Sequence, residues 1–244
     1  EPDGRAYRIA VKRAPQSRGG SAYVWSLKEG ARVTIGPPNN LFPLSYNAAA
    51  YLLIAGGIGI TPIVGMAQAL ARHGTNVRMI YTARSKDELA FAGELHAALG
   101  DRLSLYITGE GQRIDAARAI ADLAPHAELY ICGPIGLVDD LRRAWDEAGR
   151  APTSFRTETF GSSGHLAAQP FKLSVPRLGI DIVVPENMSM LDALEQAGVE
   201  VMSDCRRGEC GLCVLDVVAA DSPLDHRDVF LSLHQKDANR KICA

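Results

Sequence analysis

Hydrophobic and polar positions change rhythm twice along the chain. Near the start, Tyr7, Ile9 and Val11 alternate with Arg8, Ala10 and Lys12, the period of two that a half-buried strand requires. A short helix carrying Val24, Trp25 and Leu27 is expected after Arg18-Gly19-Gly20-Ser21, with Ser21 as its cap. A second strand over Arg32–Ile35 ends at the breakers Pro37-Pro38-Asn39-Asn40. From Tyr51 the rhythm becomes strand, helix, strand. Strands are predicted at Tyr51–Ala55, Val77–Ala83, Leu103–Ile107, Glu128–Cys132 and Ser154–Phe160. Helices are predicted at Pro62–His73, Asp87–Leu99, Ala116–Leu123 and Pro134–Ala148. Such alternation predicts an α/β domain, a parallel sheet wrapped by helices, with ligands at the strand ends. Gly161-Ser162-Ser163-Gly164 then breaks the pattern and opens a linker. Beyond it come strands at Phe171–Val175 and Ile180–Val184 in a hairpin around Arg177-Leu178-Gly179, a helix at Ser189–Ala197 capped by Ser189, and a strand at Val214–Val218.

Composition narrows the function classes. In 244 residues, 26 Lys and Arg against 28 Asp and Glu leave a net charge of −2, which argues against a basic nucleic-acid binder. The longest apolar stretch, Ala48–Ile60, is broken by glycines and falls short of a membrane span, so no membrane partner is expected. The chain opens Glu1-Pro2-Asp3-Gly4 without an initiator Met, so an upstream part is expected to be missing. Five cysteines are an odd count, and Cys205, Cys210 and Cys213 crowd into one loop. That suits a ligand cluster in a reducing, cytoplasmic setting better than a disulfide framework.

The crowded loop reads C-x4-C-x2-C, and a fourth cysteine, Cys243, follows after a gap of roughly thirty residues, the plant-type spacing for a [2Fe–2S] cluster. Four thiolates must converge on two irons. Gly208 and Gly211 let the backbone curl so that N–H groups can face the sulfurs. Zinc is the competing reading, but zinc sites usually pair two C-x2-C knuckles and only one is present. A disulfide would leave two ligand-like cysteines unexplained. Arg206 and Arg207 admit two readings, a solvated loop face or a surface that steers an acidic partner.

Two further motifs sit at predicted strand ends. Gly56-Gly57-Ile58-Gly59-Ile60-Thr61-Pro62 joins a strand to a helix, where glycines permit a tight turn and close approach of a pyrophosphate. Pro62 suits the first helical position. The full G-x-G-x-x-G is absent, and glycine turns also serve packing alone. Cys132-Gly133-Pro134 ends a later strand, where a glycine leaves room for a planar ring. Cys132 taken alone reads more simply as a buried, inert thiol.

Together these motifs resemble the phthalate dioxygenase reductase family, which includes vanillate demethylase reductase. These are flavin- and iron–sulfur-containing reductases of Rieske-type aromatic oxygenases. Asp225-His226-Arg227-Asp228 is similar to a further family marker, with His226 as a loop or helix-cap residue rather than a metal ligand. The resemblance implies the end of an FMN-binding antiparallel β-barrel over residues 1–45, an NAD-binding α/β domain over 46–161, a linker at 162–170 and a plant-type ferredoxin domain of β-grasp fold over 171–244. It implies FMN contacts from Ala10, Val11, Lys12, Gly19, Gly20, Ser21, Thr61 and Phe160. It implies NAD contacts from Gly56, Gly57, Gly59, Thr61, Pro62, Cys132, Gly133 and Pro134. The cluster would sit on Cys205, Cys210, Cys213 and Cys243, with Cys205 nearest the flavin. The family's Arg-x-Tyr-Ser flavin motif would lie before residue 1, and its final strand after Ala244.

The implied chemistry runs from NADH through FMN to the [2Fe–2S] cluster and on to a Rieske-type oxygenase component. No general acid or base is needed. Arg84, after the second strand of the α/β part, could instead meet the 2′-phosphate of NADPH. Two rival readings remain, a plain [2Fe–2S] electron carrier whose α/β part is a docking scaffold, and a zinc-stabilised NAD-binding regulator.

Overall fold

The computed structural model describes residues 6–14, 17, 19–160 and 166–244. Expectations resting on residues 1–4, Arg18 and 161–165, including most of the glycine-serine part of the linker, lie outside them. The chain separates into two compact units. The first holds the residues up to Gly133 with Ala144–Thr157, and the second holds Pro134–Arg143 with Glu158–Ala244.

The first unit is built on a five-stranded sheet of β1 (Tyr51–Gly56), β2 (Val77–Ala83), β3 (Leu103–Ile107), β4 (Glu128–Cys132) and β5 (Phe155–Glu158), in the order β3-β2-β1-β4-β5. The ladders β1–β2, β2–β3 and β1–β4 are parallel. Every residue of β1 and β4 is buried, as expected of central strands covered on both faces. Helix α2 (Ile60–Arg72) turns Ile60, Ile63, Met66, Ala67 and Leu70 onto this sheet at helical spacing. Each such fully buried aliphatic chain stabilises the fold by about 1.5–3 kcal/mol. Helices α3 (Ala92–Leu99), α4 (Ala116–Ala121) and α5 (Ile135–Glu147) complete the connections.

Several predicted bounds shift for local reasons. The helix foreseen from Asp87 begins at Ala92, because Lys86–Glu88 forms a 3-10 turn and Phe91 takes a left-handed conformation at φ 64°. Gly57–Gly59 is also a 3-10 turn, so Pro62 falls third in α2 rather than first. It still lies in the first turn, where a missing N–H costs nothing.

Before β1 the chain forms one helix, α1 (Gly20–Ser26). The strands foreseen around Tyr7–Lys12 and Arg32–Ile35 are not formed. Both segments carry the apolar residues expected, but Tyr7, Ile9 and Ile35 are exposed and no ladder joins them among the described residues. Alternation marks a face, whereas a strand also needs a partner. Ser21 lies inside α1 and does not cap it; Gly19 holds the cap position. The Ser17 hydroxyl accepts the Gly19 and Ala22 N–H groups, each at 3.2 Å.

The second unit carries two small antiparallel sheets. Strands β6 (Phe171–Val175) and β7 (Ile180–Val184) form the predicted hairpin, turned by Pro176–Leu178 and a left-handed Gly179. Helix α6 (Met190–Gln196) is capped by Ser189, whose hydroxyl accepts the Asp192 N–H at 3.0 Å. Strand β8 (Val214–Asp216) pairs with β9 (Lys241–Cys243). Helix α7 (Leu233–Asp237) between them opens with a Ser232/Gln235 capping box. No helix among the described residues is long and apolar enough to cross a membrane.

Candidate functional site

The four cysteines of the second unit meet because a loop and a ladder bring them together. Gly208 and Gly211, at φ 73° and 76°, let the loop curl. A Cβ on Gly208 would stand 2.8 Å from the Asp228 Cα, and one on Gly211 would stand 2.3 Å from the Phe230 ring, so both positions need glycine for space as well as for torsion. The β8–β9 register sets Cys243 opposite Val214, and the Ala244 N–H donates to the Cys213 carbonyl at 3.0 Å. This ladder carries the distant fourth cysteine to the third.

The four thiols act on one another: Cys210 bears on Cys205, Cys210 and Cys205 on Cys213, and Cys213 and Cys205 on Cys243. Backbone N–H groups of Arg207, Glu209 and Cys210 all point at the Cys205 sulfur at 3.4 Å. Burial pushes the Cys205 thiol up, but these three donors and the Cys210 contact outweigh it and bring its pKa down to about 7. Burial raises Cys213, with the Cys210 charge adding to it. Burial, then the Asp228 and Cys213 charges, push Cys243 up to about 12. Gathering four thiolates therefore costs free energy that bound cations would return. No three His, Cys, Asp or Glu side chains among the described residues converge on a single ion position. Four cysteines at plant-type spacing, with three N–H donors on the sulfur of one of them, fit a [2Fe–2S] cluster.

The marker Asp225-His226-Arg227-Asp228 forms the wall behind this loop. The Asp228 backbone lies against Gly208, and its carboxylate accepts the Leu231 N–H at 2.8 Å. His226 lies in the loop, the first of its two readings, and caps no helix among the described residues. It is buried, and its Nδ1 lies 3.5 Å from Asp228 Oδ1. Lys236 is also buried, donating to the Asp228 carbonyl at 2.7 Å and to Asp139 Oδ1 at 3.2 Å. Arg206 is committed to Asp192 and Glu195 of α6, and Arg207 to Glu158 and Glu209. Neither arginine is left as the free positive charge that steering an acidic partner requires.

In the first unit the strand order reverses between β1 and β4, the switch point at which open α/β sheets generally bind ligands. Gly59 lies directly on the end of β4, where a Cβ would meet the Cys132 carbonyl oxygen at 2.1 Å. Cys132 itself is buried in the ladder opposite Ala55. Below the glycine turn, the Tyr81 hydroxyl reaches the Gly57 and Glu88 carbonyls at 3.3 Å each. Burial holds the Tyr81 pKa up at about 12, so it serves as a neutral prop. Thr61 Oγ1 donates to the Ile58 carbonyl at 3.1 Å. Arg84 is exposed just past β2. Gly56, Gly57, Gly59, Thr61 and Pro62 thus share one turn, and Cys132-Gly133 faces it across the switch point.

The residues expected to hold flavin fall into separate groups. Ala10–Lys12 is extended and tied to α1 by Trp25 Nε1 donating to the Val11 carbonyl at 2.9 Å. Gly19, Gly20 and Ser21 form the start of α1, and Ser21 Oγ accepts the Ala14 N–H at 3.2 Å. Lys12 pairs with Glu88 at 3.2 Å. Phe160 belongs to the second unit and is 43% exposed.

Comparison with known proteins gives these sites a lineage. Residues 53–143 match the oxidoreductase NAD-binding domain, and residues 175–244 match the 2Fe-2S iron-sulfur cluster binding domain. The chain is 38% identical over 242 residues to the heme-dependent oxidative N-demethylase beta subunit of Ectopseudomonas mendocina, covering 99% of this chain and 77% of that protein. It is 33% identical to the phthalate dioxygenase reductase of Burkholderia cepacia, covering 97% and 74%. A solved phthalate dioxygenase reductase, described as a modular structure for electron transfer from pyridine nucleotides to [2Fe-2S], superposes with a TM-score of 0.66 at 30% identity, covering 96% and 73%. With matches to both domain models and 33–38% identity to these reductases over nearly its whole length, this chain belongs to the phthalate dioxygenase reductase family and is an oxidoreductase that passes electrons from pyridine nucleotide to iron–sulfur.

Proposed function

We propose that the chain draws electrons from NADH through FMN into a [2Fe–2S] cluster on Cys205, Cys210, Cys213 and Cys243, and delivers them to a Rieske-type aromatic oxygenase or demethylase component. The observation that carries this reading is the gathering of three backbone N–H groups onto the Cys205 sulfur, with the β8–β9 ladder bringing Cys243 to Cys213. Nicotinamide yields electrons two at a time and a [2Fe–2S] centre accepts one, and FMN when bound supplies the conversion between them.

The chain's own residues provide placement. Gly56, Gly57 and Gly59, with Thr61 and Pro62, let a pyrophosphate approach the backbone at the start of α2. Tyr81 props that turn from below. Cys132, Gly133 and Pro134 border the nicotinamide side. Ala10, Val11, Lys12, Gly19, Gly20, Ser21 and Thr61 are assigned to FMN, with Phe160 against its ring. N–H donors at Cys205 lower the cost of negative charge there, the lever that tunes a cluster's potential. The domain assignment is a flavin-binding part over 1–45, an NAD domain over 46–161, a linker at 162–170 and a ferredoxin domain over 171–244. Arg84 leaves NADPH as the alternative donor; the family favours NADH.

One specific finding favours a second reading of the partner. The relative at 38% identity serves a heme-dependent demethylase, so a heme-bearing oxygenase is the alternative to a Rieske component. Replacing Cys210 by Ser tests the relay. The variant is expected to lose iron–sulfur absorbance and keep NADH-driven flavin reduction in flavin-supplied protein. Retention of the absorbance would remove Cys210 from the ligand set.

A further inference from the structure

We propose that Glu209, braced by Arg207, is a positioning residue that fixes the Cys205/Cys210 half of the cluster loop onto the strand end Glu158-Thr159-Phe160. The proposal rests on the reading above, in which Phe160 lies against the flavin. Thr159 is 3% exposed and stands just past the end of β5. Its N–H donates to Glu209 Oε1 at 2.7 Å, across fifty residues of sequence. A buried amide without an acceptor is costly, and a charged acceptor makes the bond stronger than a neutral one. The other oxygen, Glu209 Oε2, meets Arg207 Nη2 at 3.1 Å, while Arg207 Nη1 reaches Glu158 Oε1 at 3.6 Å. One guanidinium therefore bridges a carboxylate of the loop and a carboxylate of the strand end.

The backbones of the same two residues face the other way. The N–H groups of Arg207 and Glu209 both point at the Cys205 sulfur. Residues 207 and 209 thus grip a cluster ligand with their main chain and the Phe160 segment with their side chains. Electron transfer falls steeply with distance, so this double grip sets how reproducibly Cys205 and Phe160 are held to one another. Neither residue is among those assigned above to NAD or FMN, so NADH-driven flavin reduction serves as the internal control.

The test uses the full chain supplied with FMN, under anaerobic conditions. In Glu209→Ala, NADH-driven flavin bleaching is expected at the rate of the unsubstituted protein, with cluster bleaching slowed several-fold, because tunnelling falls off exponentially as the two ends drift apart. Glu209→Gln keeps an oxygen for the Thr159 N–H and should recover most of the rate. Arg207→Met removes the bridge alone and should slow cluster bleaching while iron content stays constant. Hydrogen exchange gives a readout free of turnover: the Thr159 amide should exchange about ten- to a hundredfold faster in Glu209→Ala, the loss of one charge-assisted bond. Unchanged exchange at Thr159, or cluster bleaching in Glu209→Ala and Arg207→Met as fast as in the unsubstituted protein, overturns the proposal. If Glu209→Ala loses its iron, the contrast between Glu209→Gln and Arg207→Met decides. A cluster that NADH leaves oxidised in the unsubstituted protein refutes the relay instead, and the Thr159 exchange still judges the contact.

Discussion

Replacing Lys236 by Met probes a buried ion pair in the second unit. The Lys236 side chain is 8% exposed and Asp139 is 9% exposed, with Nζ 3.2 Å from Asp139 Oδ1 and 2.7 Å from the Asp228 carbonyl. Methionine matches the aliphatic stem but removes the ammonium, so a buried carboxylate and a buried carbonyl lose their shared donor. Removing one partner of such a pair costs about 3–5 kcal/mol, far more than the pair's net worth. For a unit of about a hundred residues that corresponds to a fall in Tm on the order of 15–25 °C. The assay is thermal unfolding followed by loss of the visible cluster absorbance, which reports the second unit alone. Lys236→Met/Asp139→Leu removes both charges and should restore most of the lost stability, because neither member of the pair is left buried without the other. A single variant within about 2 °C of the parent, or a double variant worse than the single, would refute the reasoning.

Further outcomes follow from the glycines and thiols. Gly208→Ala should destabilise the second unit and lower iron retention, since left-handed torsion alone costs roughly 1–2 kcal/mol and its Cβ would press on the Asp228 backbone. Gly65→Ala is the contrast: it lies inside α2 with open space around it, so a gain of about 0.5–1 kcal/mol is expected in denaturant unfolding. In iron-free protein, alkylation of Cys205 should rise with pH and reach half its maximal rate near pH 7, because the thiolate is the nucleophile and its pKa is drawn down to about 7. Cys243, pushed up to about 12, should resist alkylation throughout that range, and equal labelling of the two by mass spectrometry would contradict the assigned environments.

What the sequence discloses here depends on how local the cause is. The run Tyr51–Ala55, the hairpin at Gly179 and the Ser189 cap are decided by neighbours within a few residues, and all three appear as read. The cluster cysteines are legible because ligand spacing in one loop is itself local; only Cys243 is distant, and its arrival depends on β9, a three-residue strand that no periodicity announces. The alternation at Tyr7–Lys12 misleads for the opposite reason, since pairing is a property of two segments and the pattern reports one. Phe91 in a left-handed conformation, which delays α3, is equally silent, because aromatic residues rarely adopt it. The Thr159–Glu209 bond, the Lys236–Asp139 pair and the Tyr81 prop join residues with no common motif. A glutamate inside a cysteine loop gives no sign that its partner is an amide fifty positions earlier. The commitment of Arg206 to α6 is likewise invisible, although Asp192 and Glu195, three residues apart on a predicted helix, mark an acidic face that a loop arginine could meet.

Most decisive is an anaerobic titration of the flavin-supplied protein with NADH, with iron and acid-labile sulfide assayed on the same sample. About two irons and two sulfides per chain are expected for one cluster, with NADH bleaching the iron–sulfur absorbance after the flavin is reduced. Colourless protein that carries zinc, or a cluster left oxidised beside fully reduced flavin, would contradict it.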